Sequence, residues 1–243
     1  IDAANGGWLG AIGLTGAPAY IVAILISLAA GIIFGGLNGL MVTAGKIPPF
    51  LATLGAMKIL RSVTRQFMQS SSPKVPTGFQ QIARVKVGGQ MFMPILYWLL
   101  IALVLYIVSK KTVFGRHVFA VGSNEKTSRL SGINVNRVKL GVYALMGAVV
   151  AIAAVLQVSR IGAMDPANAG SGYELDSIAA VIVGGTSMSG GKGSVVGTVF
   201  GMLIIAVMNN LLNLLGVPPF LREAFKGAII IAAVLLQRKS SDN

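Results

Sequence analysis

Long apolar runs separated by short polar stretches set the pattern of this chain. Ala19 to Ala44 carries no charge and reads as one helix of membrane-crossing length, after a Gly- and Pro-punctuated start that lasts to Pro18. Pro48-Pro49-Phe50-Leu51 opens a second helix reaching Met68, the prolines pre-setting its first turn. Met91 to Val108, Leu140 to Ser159, Ser177 to Met188, Gly193 to about Asn213 and Pro218 to Gln237 follow as further runs. A bilayer needs roughly 20 apolar residues per helix, so the pattern predicts an all-α polytopic membrane protein with about seven crossings in one domain over 1–243.

The polar interruptions orient that bundle. Ser109 to Lys139 is the longest stretch that cannot sit in lipid, and it sets seven Lys/Arg (Lys110, Lys111, Arg116, Lys126, Arg129, Arg137 and Lys139) against one acid, Glu125. Basic loops stay on the cytoplasmic side, which places this loop and the C-terminus inside. The Ser/Pro/Gly loop over residues 69–93 has three basic residues and goes outside. Within the basic loop, residues 123–132 read as one short helix. Ser123 or Asn124 can cap it, Glu125 suits its positive end, Arg129 suits its negative end, and Gly132 can stop it in the left-handed conformation. Leu130 lies on its last turn. A self-capped helix in that place is expected to contact another protein. Further along, Glu174 and Asp176 open an apolar run as acids at a helix start should, and Gly184, Gly185, Gly190 and Gly191 form a flexible inner turn ending Lys192-Gly193.

Polar residues inside the apolar runs are the candidates for a translocation path. Lys58, Arg61 and Arg65 share one helix face, and charges at membrane depth are expensive enough to face protein or water. Arg61 either lines a polar path or braces a buried loop carbonyl; the pattern favours neither. Phe50 and Thr53 lie on the first turns of the same helix. Asn38 either faces a pore or bonds across to a neighbour, and Asn209, Asn210 and Asn213 either bind solute hydroxyls or glue helices together. Gly31, Gly35 and Gly39, like Gly193, Gly197 and Gly201, recur every fourth residue and give bare stripes for close helix packing.

Composition narrows the chemistry. Of 243 residues, 54% are hydrophobic and only 11% charged, below the quarter of a soluble domain. The net charge of +13 follows the inner ends of the spans, without a basic stripe interleaved with aromatics, so nucleic acid is not the expected partner. With no Cys and one His, disulfides, thiolate metal sites and imidazole chemistry have no basis, and no cofactor is expected. The glycine cluster fails as a phosphate loop: Thr186 stands where Gly is needed and Gly193 where Ser or Thr is needed. A dinucleotide fingerprint from Gly191 fails at Val196. His117 lies in the basic loop, which removes an intramembrane Ser–His pair.

The chain begins Ile-Asp without a signal-peptide pattern. An outer start and an inner end then imply an odd number of helices upstream. A Gly-striped helix followed by Pro-Pro-Phe-Leu occurs twice, once on each side of the membrane, as in an inverted repeat.

VGSNEKTSRLSGINVNRVKL, GYELDSIAAVIVGGTSMSGGKGSVVGT, NNLLNLLGV, PPFLATLG and the Arg61 helix together resemble the permease subunits of bacterial ABC importers for ribose, xylose, galactose and similar monosaccharides. The resemblance covers nearly all of residues 19–239. It implies a vitamin B12-importer-like ABC permease fold with about ten helices in the full chain. It also implies a second permease subunit, two cytoplasmic ATPase domains, an external sugar-binding protein and a bacterial inner-membrane location. Ser62 and Ser123 depart from the family, where Gly is common; both are small for small. The short helix 124–131 would then couple to the ATPase. A permease for branched-chain amino acids or another small polar solute is the nearest alternative, and a stand-alone secondary transporter or a membrane scaffold the more distant ones. The absence of midplane acids argues against a proton- or sodium-driven carrier.

Overall fold

The computed structural model describes residues 16–68, 74–86, 89, 91–166, 168–218, 220–229 and 231. Among these, helices dominate: α1 (Ala17–Thr43), α2 (Pro49–Met68), α3 (Thr77–Arg84), α4 (Met93–Lys111), α5 (Val113–Ser123), α6 (Glu125–Leu130), α7 (Val135–Ile161), α8 (Tyr173–Val183) and α9 (Val195–Leu214). A further helical segment runs over 220–229. Four of them, α1, α4, α7 and α9, are long and apolar enough to cross a membrane. No residue of α4 is buried, so the apolar surface it presents before Ser109 must be covered by lipid or other helices. The chain is a multi-pass membrane protein.

The other three expected crossings differ for local reasons. α2 is 20 residues long but carries Lys58, Arg61 and Arg65. α8 has 11 residues, about 16 Å of helix, and stops at Val183 rather than Met188 because Gly185 (φ +82°) turns the chain. The end of the last run at Gln237, the tail after it, and the uncharged start to residue 15 lie outside the described residues. Two helices were not expected. Thr77–Arg84 lies in the polar loop, and Val113–Ser123 lies in the first half of the basic loop.

The chain forms two compact units, one within Ile1–Ile101 and Asn136–Ala169, the other within Ala102–Val135 and Gly170–Asn243. In the first, α1 and α7 run antiparallel. A Cβ at Gly31 would meet the backbone of Gly147, and one at Gly35 the backbone of Tyr143 and Gly147. The stripe of small residues therefore does what such stripes do in membranes, bringing two backbones together without side chains between them. At one end of this unit α3 is tied down. The buried Ser159 hydroxyl accepts from Ala83 N at 3.0 Å and donates to Phe79 O at 2.9 Å, while Tyr20 stacks edge-on against Phe79 with ring centroids 5.6 Å apart. Arg84 donates to the carbonyls of Arg160 (2.9 Å) and Ile161 (3.0 Å), satisfying the last carbonyls of α7.

In the second unit α8 and α9 pack antiparallel, again through small residues. Gly184 faces Gly197, and Gly201 faces the Ala180 carbonyl. Ala179, Ala180 and Ile205 form the buried centre, with Val183, Met208 and Ile229 against it.

Candidate coupling site and translocation path

The second unit holds the short helix that the sequence singles out. Thr112 caps α5, its hydroxyl accepting from Gly115 N at 3.1 Å. Gly115 is obligatory here, because any Cβ would enter the last carbonyls of α4 at Val108 and Ser109. α5 ends at Ser123, and Asn124 takes an extended conformation (φ −154°, ψ 107°) that breaks the helix and restarts it. Of the two possible caps the structure uses Asn124, whose Oδ1 accepts from Thr127 N at 3.0 Å. Glu125 and Arg129 sit in the first and last turns and pair at 2.8 Å. Both side chains are about half exposed, so this pair is worth only about 0.3–0.5 kcal/mol. Gly132 (φ +81°) closes the helix: its N–H donates to Arg129 O at 3.1 Å and the N–H of Ile133 to Ser128 O at 3.0 Å. Leu130 is 90% exposed at the end of this polar helix, while Ser128 is buried. Leu130 is the one apolar side chain of α6, and it stands bare.

The glycine turn packs directly against the end of α5, just before α6. Gly190 (φ +86°) lies on the Gly122 carbonyl, and a Cβ at Gly191 (φ +75°) would stand 2.8 Å from Ser123 Cα. The turn is also bonded internally. Thr186 N donates to Val181 O (3.1 Å), Ser187 N to Lys192 O (3.0 Å) and Gly190 N to Ser187 O (3.1 Å). It is thus an ordered strap rather than a loose connection. Ser123, Gly190 and Gly191, predicted separately, meet here. Gly184 belongs instead to the α8–α9 contact, and Gly185 turns the chain after α8.

The acids at the start of α8 part company. Glu174 is exposed, whereas Asp176 Oδ1 lies 2.7 Å from Lys226 Nζ with both side chains under one-fifth exposed. The geometry at Oδ1 is poor for a hydrogen bond, and the separation makes the contact an ion pair. One turn earlier on the same segment Arg222 Nη1 donates to Asn213 Oδ1 at 3.2 Å. Ile229 packs against the centre formed by Ala179, Ala180 and Ile205, and Arg222 reaches Asn213, one turn of α9 beyond Asn209. The Asn209 amide oxygen and Arg222 Nε are buried without hydrogen-bond partners, while Asn210 is exposed. Arg222 and Lys226 escaped the sequence reading. Their i, i+4 spacing inside an apolar run was the available signal.

In the first unit the path candidates are not gathered. Asn38 Nδ2 donates to Phe34 O of its own helix at 3.1 Å, and its buried Oδ1 has no hydrogen-bond partner. Thr53 back-bonds to Pro49 O at 2.9 Å, and Phe50 is 68% exposed at the start of α2. Arg61 donates to Ala169 O at 3.3 Å and also lines a cavity of about 320 Å³ with Met57, Thr64, Met164 and Pro166. The bracing of a loop carbonyl and the lining of a cavity are both present in one side chain. Of the four candidates in this unit only Arg61 reaches that cavity.

Residues 4–234 match the model of a family described as branched-chain amino acid transport system / permease component. The chain is 40% identical to the ribose import permease protein RbsC of Escherichia coli over 90% of its own length and 69% of that protein's. It is 44% identical to RbsC of Bacillus subtilis over 84% of the chain and 64% of the relative. The galactose/methyl galactoside import permease protein MglC of Escherichia coli is 39% identical over 88% of the chain and 65% of the relative. The chain thus spans about two thirds of the length of these relatives. No solved structure matches it. With the family model matched along almost every residue, and import permeases matched at this identity, the chain belongs to the family of transport-system permease components.

Proposed function

We propose that this chain is the membrane-spanning permease subunit of an ATP-driven importer and forms the route for a monosaccharide, a ribose-like pentose or a hexose. The observation that carries the reading is the identity to ribose import permeases over nine-tenths of the chain. The geometry is consistent with it: a capped, leucine-presenting helix follows directly on an α5 end held by a glycine strap, a unit able to pass on force from outside the chain. In this reading α6, with Ser123, Asn124, Glu125, Arg129, Leu130 and Gly132, docks on a cytoplasmic ABC ATPase. An external binding protein delivers the sugar, and a second permease subunit completes the path in the inner membrane, with the C-terminus inside. Nucleotide hydrolysis belongs to the ATPase. Asn209, Asn213, Arg222 and the Asp176–Lys226 pair supply the amide and ionic groups that hydroxyls bind.

The description of the matched family favours one other reading, a branched-chain amino-acid substrate. Uptake of radiolabelled ribose, galactose and leucine by cells carrying the permease with its ATPase and binding protein separates the two. Accumulation of a sugar and not of leucine is the expected result. Leucine uptake alone would overturn the sugar assignment.

A further inference from the structure

The second unit contains a cavity of about 500 Å³ lined by Ser109, Lys110, Arg116, Phe119, Gly191, Lys192 and Gly193. Sites for small ligands run from roughly 300 to 1,000 Å³, so the space is adequate. Three cations and no acid line it. Lys110 Nζ sits 5.9 Å from the Phe119 ring centroid, a cation–π contact that leaves its charge uncompensated by any anion. None of Lys110, Arg116 and Lys192 forms an ion pair with a carboxylate among the described residues.

Depth decides what anion such a cavity meets. Ser109 and Lys110 close α4, a span of 19 residues and about 28 Å, which matches the roughly 30 Å hydrocarbon core. The lining residues at the end of α4 therefore lie at the level of lipid phosphates. Basic pockets at the ends of spans hold anionic headgroups, with each nearby Lys or Arg adding to the attraction. We propose that this cavity binds the phosphodiester headgroup of an anionic lipid, with Lys110, Arg116 and Lys192 as its charge partners. Because Gly191 lines the cavity and also packs on Ser123, an occupied site braces the strap beside α6.

The purified permease, equilibrated in mixed phosphatidylcholine/phosphatidylglycerol micelles, tests this by native mass spectrometry of retained lipid. Wild type should retain phosphatidylglycerol in preference, and Lys110→Gln/Arg116→Gln/Lys192→Gln should lose roughly a hundredfold of that preference. Removing the same charge at Lys46, Lys74 and Lys86 should leave it unchanged. Thermal unfolding in phosphatidylcholine alone checks that the triple variant folds; in a variant that does not, Arg116→Gln alone should still lower retention roughly fivefold. Equal retention by wild type and these variants would overturn the site. Stabilisation by inorganic phosphate matching that by phosphatidylglycerol, and lost in the same variants, would overturn the lipid source.

Discussion

Single residues in this protein are constrained most where backbones touch. Gly191 combines a left-handed φ of +75° with a Cβ position 2.8 Å from Ser123 Cα. Gly191→Ala therefore adds about 1–2 kcal/mol of backbone strain and pushes the strap off α5. We expect normal membrane levels, a lowered unfolding temperature in detergent, and uptake reduced at least severalfold; unchanged stability and uptake would show that the contact is dispensable. The Asp176–Lys226 pair makes a second case. Removing one partner strands a charge in an apolar setting, whereas removing both leaves none. A double-mutant cycle with Asp176→Asn and Lys226→Met should return a coupling of about 1–3 kcal/mol, the double variant being more stable than the worse single. Additive losses would mean the two side chains do not interact.

At the scale of elements, helix α6 shows what a sequence can and cannot disclose. Its cap, acid, base and stopping glycine are all local signals, and Asn124, Glu125, Arg129 and Gly132 take the expected places. The spans were legible for a similar reason, since α1, α4, α7 and α9 satisfy hydropathy and length without reference to neighbours. α3 was not legible. Phe79 and Ala83 are its only buried residues, and what buries them is Tyr20 and Ser159, far away in sequence. α5 hid behind its charges and behind Gly115 and Gly122, whose roles are packing rather than turning. The meeting of Gly191 with Ser123 had no local signature at all. For α6 itself, Leu130→Asp or Glu125→Arg should abolish uptake while the permease still reaches the membrane. Leu130→Asp places a charge on the one bare apolar residue of the helix, and Glu125→Arg sets two cations i, i+4 apart at the end where an acid belongs. Normal ATPase binding and uptake in both variants would remove α6 from the coupling role.

The whole molecule joins two kinds of construction. Small-residue stripes on α1 and α7 in one unit, and on α8 and α9 in the other, give tightly packed helix pairs. The second unit carries the ordered strap and the presented helix, which is where an external motor could take hold. Among the described residues no acid lies within α1, α4, α7 or α9, so these spans hold no carboxylate through which a proton or sodium gradient could act. The most direct measurement is sugar uptake into proteoliposomes containing the permease, with and without its ATPase, binding protein and ATP. Accumulation is expected only when all three are present, and none with a proton or sodium gradient alone. Gradient-driven uptake by the permease by itself would contradict that expectation.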